Sequence, residues 1–467
     1  MTRRRVLLVG LDAADLAVVR ANLARLPRLR ACFERSQPRA LRSPGEILSS
    51  AVWPSFATGE GPGDHGIYYP MQWDAAGRRL RRVDESWLDF EPFWYELARR
   101  GVRVTTLDVP FSLPSRMAAG VEVVNWGSQE CLGPFASNQP ALAREILRRF
   151  GRHPMGQDVP VESPPARLEA IRRRLVAGAA RKAELARWLL ESTEPELFIA
   201  VFAELHRAGH VLWRGRDEAP GEALLDVYAA VDAAIGQLLD SPAAQGARIV
   251  LFSTHGTGPN LTQEHMVLPV LARFHATRRG EGPAASTPAP KAAGPMAWLR
   301  AAIPGQVQYL LAKALPAGVR DFVVQRALLG GVDWEQDVAF ALPMSGEGYL
   351  RVLDPTGIDE LKRCFLELRD AGSGEPVVRD VVAPAALWPG PRAANLPDLV
   401  VLWARQAPAT ALQSARLGRI EARLATGRTG EHRGDGFVWI DGAAADPAPG
   451  DVTDFAAFTR ACLEGRS

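Results

Sequence analysis

Cysteine is scarce in this chain, with Cys32, Cys131, Cys364 and Cys462 the only four in 467 residues. They are far apart and form no C-x-x-C pair, so they suggest neither a zinc ribbon nor a disulfide framework, and a reducing compartment fits. Lysine is equally sparse, at Lys182, Lys291, Lys313 and Lys362, against a large excess of arginine. That skew reads as a GC-rich coding bias rather than a phosphate-binding device. Neither sign of charge dominates, with 55 basic against 53 acidic residues, so the bulk electrostatics imply neither a nucleic acid polymer nor an anionic membrane as partner. Long apolar runs are missing too: nothing approaches the roughly 20 residues of a membrane span. The start MTRRRVLLVGLDAADL resembles a signal peptide only superficially, because its apolar run stops at Asp12 and no small-residue cleavage site follows.

What the chain does have is 47% hydrophobic residues, enough for a large core in one big domain with insertions or in two domains. Four short β-branched runs, at residues 6–11, 102–109, 197–203 and 248–252, read as strands buried on both faces. Helical patterns lie between them, at 14–26, 90–100, 140–150, 167–190 and 223–239. This alternation predicts an α/β fold with a mostly parallel sheet clad in helices. The expected organisation is a catalytic α/β domain whose first part spans 1–275, with a helical insertion at about 128–195. A Pro-, Ala- and Gly-rich linker is expected at 276–296, and 297–467 should complete the domain, adding a pocket rim and a C-terminal helix. In that last part a helix is expected at 307–329 and short strands at 338–342, 348–353, 399–403 and 437–440.

In open α/β sheets ligands bind beyond the carboxyl ends of the strands. Here those positions carry chemistry: Asp12 after the first run, Glu204, His206 and His210 after the third, and Thr254 and His255 after the fourth. Asp12 standing alone would read as a helix cap. His206 and His210 are spaced i, i+4, which on a helix turns both rings to one side. His432 sits in the glycine-flanked loop Gly430-Glu431-His432-Arg433-Gly434. Three neutral imidazoles make a good zinc set with a fourth position open to substrate.

The most specific segment runs from Ser49-Ser50-Ala51-Val52-Trp53 to Thr58-Gly59, followed by Pro62-Gly63-Asp64-His65-Gly66-Ile67. A small hydroxyl residue opens a short helix there, where free backbone N–H groups suit phosphate oxygens. The segment resembles the nucleophile motif of the type I phosphodiesterase and nucleotide pyrophosphatase branch of the alkaline phosphatase superfamily. In that motif a Thr or Ser precedes an aromatic residue by four positions, and Thr-Gly and Pro-x-x-His-Gly-Ile follow. The resemblance puts the nucleophile on Ser49, with Ser50 as the adjacent fallback, and it extends in order from Asp12 to the His432 loop.

The resemblance implies two metal sites. By position, His210 and His432 match the histidines of one, and Asp12, Ser49 and His255 match the ligands of the other. Two departures remove carboxylates: His206 stands where the pattern has Asp, and Thr254 stands where it has another. A three-histidine zinc site (His206, His210, His432) is therefore expected, with a second divalent metal bound more weakly. Glu204 and Asn260 are secondary candidates to contribute oxygen. His65 reads as structural, Asp398 as a capping group, and the sulfatase signature is missing.

These implications make the chain a cytoplasmic, bacterial-type, metal-dependent hydrolase of phosphoesters, working through a covalent phosphoseryl intermediate. Its partner would be a small-molecule, glycan or nucleotide phosphoester. Two other readings stay open: a phosphotransferase or mutase of the same superfamily, and a metal-poor member that binds a phosphorylated ligand without turnover.

Overall fold

The computed structural model describes residues 4–88, 90–113, 117, 120–156, 164–213, 219–281, 319, 325–326, 329–423, 428–434, 436–442 and 448–465. Most of the expected linker at 276–296 and most of the expected helix at 307–329 lie outside these residues. The chain divides into two compact units. The first comprises residues 1–70, 83–260 and 427–467, and the second comprises 71–82 and 261–426.

The first unit is built on an eight-stranded sheet. Its centre is parallel: Arg248–Ser253, Val6–Leu11, Leu197–Phe202, Val104–Leu107 and Val121–Val124 lie side by side in that order. Gly436–Ile440 and Arg39–Leu41 extend one edge antiparallel, and Ala136–Ser137 closes the other. The predicted runs thus become strands, with 102–109 trimmed to its middle.

Strand alternation explains why helices must cover both faces. From the first strand, Leu7, Val9 and Leu11 enter one core cluster while Val6 and Leu8 enter another. From its neighbour, Phe198, Ala200 and Phe202 join the first cluster, and Leu197, Ile199 and Val201 the second. Helices Pro27–Arg35, Pro165–Thr193 and Glu222–Leu239 cover the first face through residues such as Phe33, Leu175 and Leu224. Val52–Thr58, Phe93–Arg99 and Phe455–Leu463 cover the second through Trp53, Trp94 and Phe455. Each fully buried aliphatic or aromatic side chain contributes roughly 1.5–3 kcal/mol.

In the second unit, Ala339–Ala341, Gly348–Val352, Leu399–Trp403 and Val378–Val382 form a separate antiparallel sheet. Of the late strands expected from the sequence, only Gly436–Ile440 joins the central sheet. The late runs are short and apolar like the early ones, and composition does not say which edge a strand will join. Asp398 receives the Val352 backbone N–H at 2.7 Å and pairs with Arg351 at 3.1 Å, anchoring its strand's entrance. Among the described residues no disulfide forms between the four cysteines. Among the described residues no helix is long and apolar enough to cross a membrane.

Candidate active site and metal centre

The carboxyl ends of the central strands bring Asp12, His206, His210 and His255 together. Asp12 follows Val6–Leu11 at a sharp turn in which Ala13 takes a left-handed φ of 61°. The next parallel strand, Leu197–Phe202, runs into the short helix Glu204–Gly209, which carries His206 and leads into His210. His255 lies in the turn between Arg248–Ser253 and Gly256–Pro259, and the latter pairs antiparallel with Gly430–Arg433, which carries His432. A close backbone approach makes this possible: a Cβ on Gly430 would collide with the Gly209 carbonyl oxygen.

Ring centroids of His432 lie 4.7 Å from His206, 4.9 Å from His210 and 4.6 Å from His255. Two of these rings are held by acceptors that fix their tautomers. His206 Nδ1 donates to Asp12 Oδ2 at 2.8 Å, and His210 Nδ1 donates to the Gly430 carbonyl at 3.2 Å. Both hydrogen bonds turn Nε2 toward His432, whose own Nε2 lies 3.1 Å from that of His206 and 3.2 Å from that of His210. The other oxygen of Asp12 is taken by Trp53 Nε1–H at 3.0 Å.

Burial above all, then the charges of Arg428 and His206, hold His210 well below the ordinary histidine range. Burial and the three neighbouring imidazoles do the same to His432. Burial brings His255 down to about 4, with Asp12 pulling the other way. Burial also opposes charge on His206, but the Asp12 carboxylate outweighs it and raises that ring. Burial works against ionised Asp12 as well, and His206 more than offsets it, so the carboxyl stays below its usual range.

A cation fits this donor set. One proton can bridge only one of the two short nitrogen–nitrogen contacts at His432, so the other brings acceptor lone pairs together unless something positive lies between them. His255 Nε2 is buried and has no hydrogen-bond partner, an arrangement that native structures normally avoid. Nitrogens about 3.1–3.3 Å apart are also what tetrahedral zinc requires with bonds near 2.0 Å. Two groups of side chains place their donor atoms within 4.8 Å of one another: His206, His255 and His432, and separately His210, Glu431 and His432. The expected trio His206, His210 and His432 therefore spans both groups, which share His432.

The other candidates are distributed as follows. Ser49 is half-buried and opens the turn Ser49–Ala51 that leads into Val52–Thr58. Ser50 is buried and its hydroxyl donates to Glu130. Thr254 Oγ1 lies 3.0 Å from His255 Nδ1, where it orients that ring. Asn260 donates to the Arg428 carbonyl at 3.3 Å and ties down the loop before His432. Glu204 faces the interior, 3.1 Å from His153 Nε2 and 3.5 Å from Lys182 Nζ. Burial there would raise its carboxyl, but Lys182 and His153 bring it down to about 2. His65 is buried, receives the Ile67 backbone N–H at Nδ1 at 3.1 Å and donates from Nε2 to Ser55 at 2.9 Å, as expected of a structural residue.

Sequence reasoning missed Glu130, Arg428 and Glu431. Glu130 is half-buried beyond the strand Val121–Val124 and feels the charges of His206, Asp12 and Arg428, with burial raising its carboxyl to about 7. The strand-end rule that found Asp12 points to the same loop. Arg428 acts on His206, His210 and His432, and pairs with Glu431 at 3.2 Å.

The sequence profile of type I phosphodiesterase / nucleotide pyrophosphatase matches residues 6–308. The chain belongs to that family. As a member, it falls among phosphoester hydrolases of a metal-dependent family, and its histidine-rich group could bind a metal. No match was found among curated proteins.

Solved structures give the family member an alkaline-phosphatase-like fold. Phosphonoacetate hydrolase from Sinorhizobium meliloti 1021 in complex with phosphonoformate is similar at a TM-score of 0.55 and 14% identity, over 99% of this chain and 96% of that one. Murine ectonucleotide pyrophosphatase / phosphodiesterase 5 is similar at a TM-score of 0.51 and 13% identity, over 99% and 95% of the two chains. The human protein of that name is similar at 0.51 and 11% identity, with the same coverage.

Proposed function

We propose that this chain is a metal-dependent phosphodiesterase or phosphatase acting on a small phosphoester through a covalent intermediate on Ser49. The single observation that carries the reading is the convergence of His206, His210, His255 and His432 beside Asp12, all of them buried or half-buried. Asp12, Ser49, His206, His210, His255 and His432 are the residues that would hold zinc and a second divalent ion. When bound, such ions supply Lewis acidity toward serine and phosphoryl oxygens that no side chain here can match.

The chain's own groups do the rest. Trp53 and His206 fix the two oxygens of Asp12, and Asp12 in turn fixes the His206 ring. Ser49 Oγ forms a bond to phosphorus as the bond to the leaving oxygen breaks, and water then displaces Ser49. Two in-line displacements retain configuration at phosphorus. Burial holds three of the central imidazoles, His210, His255 and His432, below the ordinary histidine range, which keeps their nitrogens available as ligands. Two similar solved structures support a small phosphorus-bearing ligand: the phosphonoacetate hydrolase holds phosphonoacetate, a phosphonate, and an inactive variant of murine ectonucleotide pyrophosphatase / phosphodiesterase 5 holds AMP, a phosphomonoester. A location in the cytoplasm is part of the same reading.

The test is a metal-reconstituted assay on generic phosphomonoester, phosphodiester and sulfate ester substrates. Ser49→Ala is expected to lower turnover by roughly a thousandfold or more. Mass spectrometry of acid-quenched wild type should find phosphate on the Ser49 peptide. Turnover by Ser49→Ala at the wild-type rate overturns the assignment.

A further inference from the structure

We propose that Glu431 is a metal ligand, so that His210, Glu431 and His432 form a site of two histidines and one carboxylate for a divalent cation. This rests on the metal-dependent reading above and adds to it a carboxylate that the motif resemblance did not supply. Two of the motif's Asp positions are His206 and Thr254 in this chain, and the carboxylate that is kept, Asp12, accepts from His206 and Trp53, so His210 and His432 by themselves leave a dication's charge poorly balanced. Arg428 makes the balance worse, because its charge already acts on His210 and His432.

Glu431 answers both problems. It is 5% exposed, and its carboxylate, one His210 nitrogen and one His432 nitrogen all lie within 4.8 Å of one another. Its Oε2 lies 3.2 Å from Arg428 Nη1, and its Oε1 accepts the His432 backbone N–H at 3.0 Å. A carboxylate has about four lone-pair sites, so these two bonds leave capacity for a cation. Outer hydrogen bonds of this kind are what orient a ligating carboxylate. The position is also fixed from both sides. Glu431 pairs in register with Gly258, and the preceding residue, Gly430, accepts the His210 Nδ1–H at 3.2 Å. The same hydrogen bond leaves the His210 Nε2 lone pair as its donor. Hard carboxylate and borderline imidazole together suit zinc, and equally cobalt as its spectroscopic substitute.

The rival arrangement seats the cation among His206, His255 and His432, and direct metal binding separates the two. Metal-free protein is titrated with zinc against a chromophoric chelator, and with cobalt while its visible absorption is recorded. Glu431→Gln is expected to lose one equivalent of zinc or to weaken binding at least about tenfold. Glu431→His, which keeps a donor, should bind cobalt with an altered visible spectrum, and it decides the matter if Glu431→Gln does not fold. Wild-type zinc binding in Glu431→Gln, together with an unchanged cobalt spectrum in Glu431→His, overturns the assignment. If loss then follows only from His206→Ala, the cation belongs to the other group. Failure of the wild type to bind either metal would instead overturn the metal-dependent reading itself.

Discussion

Asp12 Oδ2 and His206 Nδ1 are 2.8 Å apart across 194 positions of sequence. The parallel pairing of Val6–Leu11 with Leu197–Phe202 sets Leu11 opposite Phe202, which delivers both groups to the same edge. The carboxylate fixes the tautomer of the ring and keeps its Nε2 turned toward His432.

Removing that charge while keeping the shape isolates its role. Asp12→Asn is expected to weaken zinc binding roughly 10–100-fold, as loss of a carboxylate behind a ligating histidine does elsewhere. Competition with a chelator measures it, and unchanged affinity would mean that the pair is only structural.

Gly430 is where the loop carrying His432 meets the helix end carrying His210, with no room for a side chain beside the Gly209 carbonyl and Trp213. Gly430→Ala should cost about 1–3 kcal/mol by overpacking. It should also separate the two rings, so thermal melting and zinc affinity are expected to fall together. A drop in melting temperature with intact zinc affinity would show that the contact stabilises the fold without setting the site.

Lys182 is fully buried, 3.0 Å from Asp108 and 3.5 Å from Glu204. Asp108 in turn accepts the Trp126 and Gly127 backbone N–H groups at 2.7 Å each, fixing the start of the loop that leads to Glu130. Lys182→Met leaves two carboxylates uncompensated in the core. The expected loss is about 3–5 kcal/mol at neutral pH, read from urea denaturation.

Glu122 provides a stability test at a residue that is not one of the candidate metal ligands. Burial raises its carboxyl from 4.5 to about 7, against opposing hydrogen bonds from Tyr95 and Trp94. Between those two values the folded protein holds a proton that the unfolded chain has released. Stability should therefore be greatest at the acid end and fall as pH rises through 7, by up to about 3 kcal/mol. Glu122→Gln mimics the protonated form and should remove this part of the slope. Urea midpoints at pH 5 and pH 8 measure it, and parallel pH profiles for variant and wild type would refute the shift.

Several parts of the site were legible before any coordinates. Buried runs with β-branched residues announce parallel strands, and the residues just past them, Asp12, His206, His210 and His255, are the ones that meet. The Ser49 segment could be matched because its residues are contiguous. Glu130 was harder to see, since its partner Ser50 is 80 positions away and nothing local links them. Nothing local in the sequence links Glu431 to His210: adjacent residues on a strand ordinarily face opposite ways, yet the Glu431 carboxylate lies within 4.8 Å of a nitrogen of His210 and of His432.

Strand and helix identity, the buried faces and the Ser49 segment are properties of neighbouring residues, governed by periodicity and local spacing, and the sequence alone determined them. The tertiary structure decided which donor atoms lie close enough to share an ion, which carboxylate faces Arg428, and that most of the late strands form their own sheet. Those outcomes depend on packing between segments hundreds of residues apart, where a shift of a few ångströms decides whether two donor atoms can grip one cation.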